Sequence, residues 1–597
     1  MHLRNVFVCT VVAAMSSPQA FAQTNAPVGA GQLLEQQRRL EPSPLPPQKA
    51  TPPDITLLSK PVQPPELGGI QTTVRQFTLR GYAELREADL QAALQPWLGR
   101  TVGLRDLREA AVALEQLYRV RGWLAQVTLP SQDVTDGTVI LNIVEAKRGR
   151  IRLTQSGTPK PGSATAAERV QSLLEGNLPE GQPLNLNAYE RALLIANELP
   201  GGASSGSLQA GETEGSTDLL VQQSTDSHVL QADISADNAG SRSTGAARLN
   251  ANLTLNAPWG YGEQLSFTAS KSEGSEYLRG AASWPISFPG FSGVSRWNGW
   301  RMSINASTLS YRVLDDMNTT TGLAPEGSSQ TLGAELQYPI VRSAVANWQL
   351  NLGLENKQLR NQDDNTTLGV LETSSAANTQ ALTLGLSGNQ YDNWYGIGSN
   401  QASVVLTLGT VNLDGSPTAL MNSDRQLAST QGDFQKIRYN VARTQSLTPD
   451  WSLYASVNGQ WASKNLDAGE KIYLGGMSGV RAYPSGEAGG SSGQIINLEL
   501  RQQLNAQWQL TAFYDYGQVD LYQNNQKADG SGALIANNNI ALSGVGLSVS
   551  WRNNQGMQLK ATWAQRIGNN PLATPNGNDT DGSLNTNRFW LTASFPF

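Results

Sequence analysis

Residues 588–597 read Arg588-Phe589-Trp590-Leu591-Thr592-Ala593-Ser594-Phe595-Pro596-Phe597. In an extended strand, side chains alternate between two faces. One face carries Phe589, Leu591, Ala593, Phe595 and Phe597, and the other carries Thr592 and Ser594. The pattern therefore predicts a strand with lipid on one side and water on the other. The alternative is an ordinary closing strand of a soluble sheet.

The composition of the whole chain favours the lipid-facing strand. The 597 residues are only 15% charged and 39% hydrophobic, and 58 of them are glycine. After the first residues, no apolar run reaches about 20 residues, the length that a membrane-spanning helix needs. Strands of a transmembrane barrel instead dilute their apolar residues by alternation. A chain of this length should hold several domains, and its formal net charge of -6 argues against binding to nucleic acid.

Residues 1–22 have the pattern of a secretory signal peptide. Arg4 precedes an apolar stretch over 6–15, and Ala20-Phe21-Ala22 matches an A-x-A cleavage site. Cleavage there would remove Cys9, the only cysteine, so we expect no disulfide and no thiol chemistry. His228 would then be the only histidine, and we interpret it as a rim residue beside a strand. We expect no catalytic residue, no metal and no cofactor.

A helix and a proline-rich tether are expected next. Within 23–41, the run over 31–40 contains strong helix formers. Nine prolines between Pro42 and Pro65 make 42–72 an extended, semi-rigid tether. A helix on such a tether would be a mobile element. The alternative is a disordered leader.

Two successive segments, 73–148 and 149–225, share the predicted order β-α-α-β-β. In the first segment, a helix over 104–121 has one apolar stripe at three- and four-residue spacings, formed by Leu107, Ala111, Leu114, Leu117 and Tyr118. About 75 residues is a normal size for a small domain. The sequence therefore predicts two α+β domains in tandem.

From 226 to 597 the chain alternates strand patterns with two kinds of connection. Seven short joints interleave with eight polar stretches, which are 238–244, 272–276, 312–330, 360–378, 412–431, 464–493, 519–539 and 567–586. The count predicts about 16 antiparallel strands, an even number as single-chain bacterial barrels require. The last strand would then pair with the first, near 229–237. Both ends of the barrel would face the same side as the tandem domains.

The sixth polar stretch carries an unusual motif. It contains Leu474-Gly475-Gly476-Met477-Ser478-Gly479-Val480-Arg481-Ala482-Tyr483-Pro484. A glycine-dense hairpin that presents one arginine between apolar neighbours is odd for an exposed loop. A second motif, Phe513-Tyr514-Asp515-Tyr516-Gly517, lies on the thirteenth predicted strand.

Together these features resemble the two-partner secretion transporters of the ShlB/FhaC/HecB type. The repeated unit resembles a POTRA domain, and Val480-Arg481-Ala482-Tyr483 resembles the VRGY tip of that family's sixth loop. The segment over 513–517 matches the family's Phe-x-Asp-x-Gly wall motif. Ala482 stands where the family has glycine, and because alanine disfavours a positive φ, the tip conformation would differ slightly. Phe597 resembles the C-terminal signature of outer-membrane barrels.

The resemblance implies a mainly β fold, with a 16-stranded transmembrane barrel behind two POTRA domains and an N-terminal helix. It also implies that the sixth loop folds into the lumen, where Arg481 needs a carboxylate because a desolvated guanidinium alone is costly. Asp515 is the partner that the motif suggests. Phe513 completes the wall motif, and Gly517 would leave room for the loop. Phe597 would be read by the barrel assembly machinery.

For function, the resemblance implies an outer-membrane transporter with its POTRA domains in the periplasm. An unfolded exoprotein of the hemolysin or adhesin type would dock on these domains and thread through the barrel without ATP, while residues 32–40 plug the lumen at rest. Outer-membrane lipid and the barrel assembly machinery are further expected partners, and nucleic acid is not. The alternatives are an insertase of other barrels, a passive porin and a barrel enzyme, which the single histidine disfavours.

Overall fold

The chain is described from a computed structural model covering residues 28–39, 56–57, 71–156, 167–200, 203–224, 229–286, 299–314, 324–365, 370–535 and 537–597. The predicted signal peptide over 1–22, His228 and most of the tether over 42–72 lie outside these residues.

Two short elements of the N-terminal region are described. Helix α1 (Ala30–Arg38) follows Gly29, whose backbone is extended. The helix begins one residue before the predicted helical run over 31–40 and ends two residues before the end of that run. Strand β1 (Thr56–Leu57) belongs to the tether. It does not stand alone, because it joins a sheet of the second α+β unit, described below.

The first α+β unit has the predicted order, with one additional small ladder. Its elements are β2 (Gln71–Thr73), β3 (Gln76–Arg80), α2 (Glu87–Leu94), β4 (Thr101–Gly103), α3 (Leu104–Val120), β5 (Ala125–Thr128) and β6 (Thr138–Glu145). The main sheet has the order β3-β6-β5, and β2 pairs with β4. The apolar stripe of α3 packs on this sheet through Leu107, Leu114 and Tyr118.

A glutamine side chain completes the sheet of the first unit. β6 continues beyond the end of β5, where it has no strand partner on that side. There Gln132 Oε1 accepts a hydrogen bond from the Ile140 backbone N–H at 2.6 Å, and Gln132 Nε2 donates to the Ile140 carbonyl at 2.8 Å. The amide thus replaces one residue of a neighbouring strand, which satisfies backbone groups that would otherwise be unpaired.

The second unit repeats the order and adds the tether strand. Its elements are β7 (Lys147–Ser156), α4 (Ala167–Asn177), α5 (Leu186–Glu198), β8 (Ala203–Ala210) and β9 (Ser216–Ser224). The sheet has the order β1-β8-β9-β7, so β1 occupies one edge, parallel to β8. Among the described helices, none combines the length and the apolar character that crossing a bilayer would require.

The C-terminal region forms a closed barrel. Its elements are β10 (Leu230–Asp237), β11 (Arg248–Asn256), β12 (Gln264–Lys271), β13 (Ser275–Pro285), β14 (Arg301–Arg312), β15 (Glu326–Arg342), β16 (Ala346–Asn365), β17 (Val370–Asp392), β18 (Gly398–Asn412), α6 (Thr418–Gln426), β19 (Gly432–Ser446), β20 (Trp451–Ala462), β21 (Ile472–Tyr473), β22 (Gly489–Gly490), β23 (Ser492–Gln503), β24 (Trp508–Asp520), β25 (Asn539–Arg552), β26 (Gln558–Ile567) and β27 (Asn587–Pro596). β21 and β22 pair only with each other, and the other sixteen strands close the barrel. The prediction of 16 strands is confirmed.

The last strand closes the barrel on the first. β27 pairs antiparallel with β10 over five residue pairs, the shortest ladder of the barrel. Beyond this ladder, the Phe597 backbone N–H donates to the Ala232 carbonyl at 2.8 Å. Phe589, Leu591, Phe595 and Phe597 are exposed on the outer surface, and the Phe597 side chain is 77% exposed. The apolar face of this strand therefore faces outward, toward lipid.

The fourth outer connection differs from the prediction. The polar stretch over 360–378 was expected to be a loop, but β16 continues to Asn365 and β17 begins at Val370. Above the apolar belt, both faces of a hairpin contact water, so polar residues occupy both faces and the alternation that reveals a strand disappears. Helix α6 in the fifth outer loop was not predicted either.

The second unit contacts the turn between β15 and β16. Glu190 accepts a hydrogen bond from the Ala344 backbone N–H at 2.9 Å, and Arg191 Nη2 donates to the Pro339 carbonyl at 2.8 Å. Glu198 forms an ion pair with Arg342. These contacts place the unit at the end of the barrel opposite to the outer loops.

Candidate functional site in the barrel lumen

The sixth outer connection, residues 463–491, folds into the lumen and is called loop six below. The ladder between β21 and β22 forms its stem. Leu474, Val480 and Tyr483 at its tip are fully buried. Gly479 allows the tight turn, because a Cβ at this position would lie 2.1 Å from the Leu474 carbonyl oxygen. The glycines of the motif thus permit a compact tip that fits inside the barrel.

Arg481 at the tip binds Asp515 on the barrel wall. Nε and Nη2 of Arg481 donate to the two carboxylate oxygens at 2.8 and 2.7 Å, and its backbone N–H donates to Oδ2 at 3.0 Å. Arg481 is 6% exposed and Asp515 is 0% exposed. Bidentate pairing in a buried place fixes both orientation and position, since the planar guanidinium matches the carboxylate.

The surroundings of this pair complete its charge balance. Glu499 on β23 accepts a hydrogen bond from Arg481 Nη1 at 2.7 Å and also pairs with Arg501 at 2.6 Å. Asn497 Nδ2 donates to Asp515 Oδ1 at 2.8 Å. The centre of the Phe513 ring lies 3.5 Å from the guanidinium carbon of Arg481, a cation–π contact. The site therefore pairs two carboxylates with two guanidinium groups, and Lys560 on β26 is a further cation that interacts with them.

Two small residues allow the loop to approach the wall closely. A Cβ at Gly517 would lie 2.9 Å from Val480 Cγ2, so Gly517 provides the space that the tip occupies. A Cβ at Gly544 on β25 would lie 2.6 Å from the Ala482 Cβ. Ala482 is not among the residues with positive φ. In this chain the position therefore does not require the conformational freedom of glycine.

Tyr483 lies under a second arginine. The guanidinium carbon of Arg566, on β26, is 4.5 Å from the centre of the Tyr483 ring. Trp590 on β27 donates from Nε1 to the Arg481 carbonyl oxygen at 2.8 Å. The motif residues 480–483 are thus bound by strands β23 to β27, the last five of the barrel.

Helix α1 lies in the lumen beside other strands. Leu33 and Leu34 pack in an apolar cluster with wall residues of β13 to β20. The α1 residue Arg38 pairs with Glu355 on β16 at 2.6 Å, and Arg438 on β19 pairs with Glu35 of α1 at 2.9 Å. The helix is therefore held by an apolar face and by ion pairs at its C-terminal turn.

The rising limb of loop six binds the same two strands. Glu470 forms ion pairs with Lys357 on β16 and with Lys436 on β19. All three side chains are buried. Two cations around one buried carboxylate hold this limb across the lumen, because breaking either pair would leave an uncompensated charge.

The sequence patterns do not indicate that several of these residues belong to the site. Glu499 lies between Leu498 and Leu500 on its strand, and its side chain points inward. The side chains of Lys357 and Lys436 also point inward from their strands. A charged residue on the polar face of a barrel strand, opposite apolar neighbours, is a detectable signal. Its partner is not detectable, because it lies on another strand. Among the described residues, no group of His, Cys, Asp and Glu could hold a metal ion.

A closed 16-stranded barrel, α+β units at its inner end and a sixth loop bound in the lumen define a POTRA–barrel transporter of the outer membrane. Residues 215–550 match the family described as haemolysin secretion/activation protein ShlB/FhaC/HecB, and residues 72–146 match the ShlB-type POTRA domain. The chain belongs to this ShlB/FhaC/HecB family of transporters.

Individual relatives agree with this assignment. The heme/hemopexin transporter protein HuxB of Haemophilus influenzae (strain 86-028NP) is 25% identical over 500 residues, which cover 83% of each chain. The outer membrane transporter CdiB of Escherichia coli is 23% identical over 437 residues, covering 72% of this chain and 68% of the relative. A solved structure of CdiB from Escherichia coli has a TM-score of 0.67 at 18% identity, covering 95% and 96% of the two chains. This likeness concerns the fold.

Proposed function

We propose that this chain is the membrane-embedded partner of a two-partner secretion system and exports one unfolded exoprotein of the hemolysin or adhesin type. The observation that carries the proposal is helix α1, because the lumen already accommodates a polypeptide segment of the chain itself. The lumen that holds this segment could hold a passing exoprotein once the segment has left. The family relation supports the same function.

In the resting state α1 plugs the lumen. Its ion pair with Glu355 is partly exposed, and such pairs contribute little to stability, whereas Glu35 is buried beside Arg438. Binding of an exoprotein near the tether would supply the free energy that releases the helix. The ion pair between Arg481 and Asp515 would keep loop six in its competent position during this change.

Recognition of the exoprotein takes place at the two α+β units. Sheet edges offer backbone groups to which an extended segment can add as a further strand. β3 and β5 are the edge strands of the first sheet. No ATP is needed, because folding outside the cell prevents the exported chain from returning and so gives transport its direction. We propose no catalytic role for any residue.

Assembly of the barrel would depend on the C-terminal strand. Phe597, exposed at the end of β27, would be recognised by the barrel assembly machinery before β27 pairs with β10. The exposed leucines and phenylalanines of the outer wall would then contact outer-membrane lipid.

Deletion of the gene in its host tests the function. We expect a single large polypeptide to disappear from the culture supernatant and to accumulate in the periplasm, while the abundance of other outer-membrane barrels stays unchanged. A general loss of barrel proteins would contradict the proposal and support an insertase. Quantitative mass spectrometry of the supernatant, periplasm and outer membrane separates the two outcomes.

A further inference from the structure

Glu487, on the returning limb of loop six, is a buried carboxylate outside the arginine motif. It is 0% exposed. It accepts hydrogen bonds from Asn570 Nδ2 at 2.7 Å, from the Thr580 backbone N–H at 3.1 Å and from Thr580 Oγ1 at 2.5 Å. Both donor residues belong to the connection between β26 and β27, residues 568–586, called loop eight below. Loop six therefore has a third attachment, on the outer side of the barrel.

Loop eight is itself fixed to the barrel wall through another buried carboxylate. Asp579 accepts hydrogen bonds from Arg566 Nη2 on β26 at 2.7 and 2.5 Å and from Arg588 Nη2 on β27 at 3.0 Å. Asn570 Nδ2 donates to Asp579 at 2.9 Å in addition to its bond with Glu487. A chain of hydrogen bonds thus runs from the last two strands through loop eight to loop six.

Loop six is consequently held at three places along its length. Glu470 on the rising limb pairs with Lys357 and Lys436, Arg481 at the tip pairs with the wall, and Glu487 on the returning limb binds loop eight. All three are buried ionic groups. Withdrawing Glu470 or Arg481 would leave an uncompensated buried charge, and withdrawing Glu487 would remove three hydrogen bonds from a buried carboxylate.

Helix α1 packs on the rising limb of loop six and on a part of the wall that the motif does not contact. Its apolar residues cluster with β13 to β20 and with Leu466 of the rising limb, whereas the motif residues cluster with β23 to β26. A hydrogen bond from Gln32 Nε2 to the Gly486 carbonyl joins helix and loop, and at 3.4 Å it is long. The helix can leave without breaking any of the three attachments of loop six.

We infer that Glu487 is a positioning residue that keeps loop six joined to loop eight while the exoprotein passes through the space that α1 vacates. The inference rests on the proposed export function. The export path then runs along β13 to β20. Loop six forms the fixed opposite side of this path, against β23 to β26.

A reversible cross-link tests the inference in the full-length protein. Glu487→Cys and Asn570→Cys are introduced together with Cys9→Ser, which leaves no other cysteine in the chain. Export is measured as the supernatant polypeptide that the deletion strain lacks. We expect the double variant to export at least about tenfold less, because loop six loses its outer attachment. A short bis-methanethiosulfonate reagent, which forms a disulfide with each cysteine and releases methanesulfinate, should restore export when added to intact cells, and reduction of the two disulfides should abolish export again.

Two outcomes would overturn the inference. Export that is blocked by the cross-link would mean that the loops must separate during transport. Normal export by the double variant without the cross-link would mean that Glu487 does not need to hold loop six to loop eight. If the double variant fails to assemble, Thr580→Val removes one donor while preserving the side-chain shape, and a loss of export smaller than tenfold is expected.

The matched control is Asp529→Asn in the connection between β24 and β25. The exposed Asp529 accepts a hydrogen bond from the Ser531 backbone N–H at 2.8 Å, a contact outside loops six and eight. This variant should export at the level of the unaltered protein, and an equal loss of export in it would contradict the role assigned to Glu487. An unaltered protein that exports nothing would refute the export function itself, so the two failures are distinguishable.

Discussion

Trp590 Nε1 donates a 2.8 Å hydrogen bond to the backbone carbonyl oxygen of Arg481, which joins the last barrel strand to the tip of loop six. The same loop reaches the chain just after the first strand, where Ser485 Oγ donates to the Ala239 carbonyl at 2.9 Å. Loop six therefore bridges the first and last strands from the inside. It does so at the barrel's shortest ladder, where few backbone hydrogen bonds hold the wall closed.

Trp590→Phe should weaken this bridge without opening a large cavity. The aromatic ring remains, but the buried carbonyl of Arg481 loses its donor, which costs about 1–3 kcal/mol. We expect the temperature at which the barrel loses its heat-modifiable migration on gels to fall. Trp461→Phe, on the outer surface of β20, is the control and should leave this temperature unchanged.

Arg481→Ala should abolish export while the barrel still inserts. The substitution leaves the buried Asp515 without its guanidinium partner, and breaking a buried pair in this way costs about 3–5 kcal/mol. Arg481→Lys should retain part of the activity, because it keeps the charge but loses the bidentate geometry.

Export is measured in the supernatant, and insertion by heat-modifiable migration. Arg360→Ala is the control, since the exposed Arg360 bonds only with Thr373 among its described partners. Normal secretion by Arg481→Ala would remove the central role of the motif.

Gly517→Val should displace the tip of loop six. A side chain at this position would begin 2.9 Å from Val480 Cγ2, and the wall strand cannot move away because it is paired on both sides. We expect a strong loss of export with normal insertion, together with new protease sensitivity of loop six in intact cells. Gly385→Ala on β17 is the control, because the nearest atom to its Cβ would be 3.4 Å away. Full resistance to protease in Gly517→Val would show that the glycine is not required for space.

Removing α1 should open the lumen. Deletion of 30–38 should raise the ion conductance of the barrel in planar bilayers, because the helix occupies space between the wall and loop six. Leu34→Asp should also raise the ion conductance, since it places an unpaired charge in an apolar cluster. Gln32→Ala removes only a long hydrogen bond and should conduct like the unaltered protein. Equal conductance in all of these proteins would contradict the plug.

The number of strands and the order of the α+β units could be read from the sequence because each depends on local periodicity. Short joints and polar loops alternate along the chain, so counting them gives the number of strands and shows that both ends of the barrel lie on the same side. The hairpin over 360–378 was missed because its strands are polar on both faces. The pairing of Arg481 with Asp515 came from a motif resemblance, and no spacing in the sequence implies it.

The remaining contacts of the site could not be predicted for a physical reason. Glu487 meets loop eight only because both loops fold over the end of a closed barrel, and Glu499 meets Arg481 only once the loop enters the lumen. Such contacts join positions on separate strands and leave no period along the chain. Tertiary packing determines them.

The separation between the two apolar clusters also constrains the order of assembly. The pocket that receives α1 is made of residues from many strands, from Tyr277 on β13 to Ala462 on β20, so it does not exist until most of the wall has formed. The motif residues of loop six, in contrast, pack on strands β23 to β26, which directly follow the loop in the chain. The helix that precedes every barrel strand in the sequence therefore needs a nearly complete wall before its binding site exists.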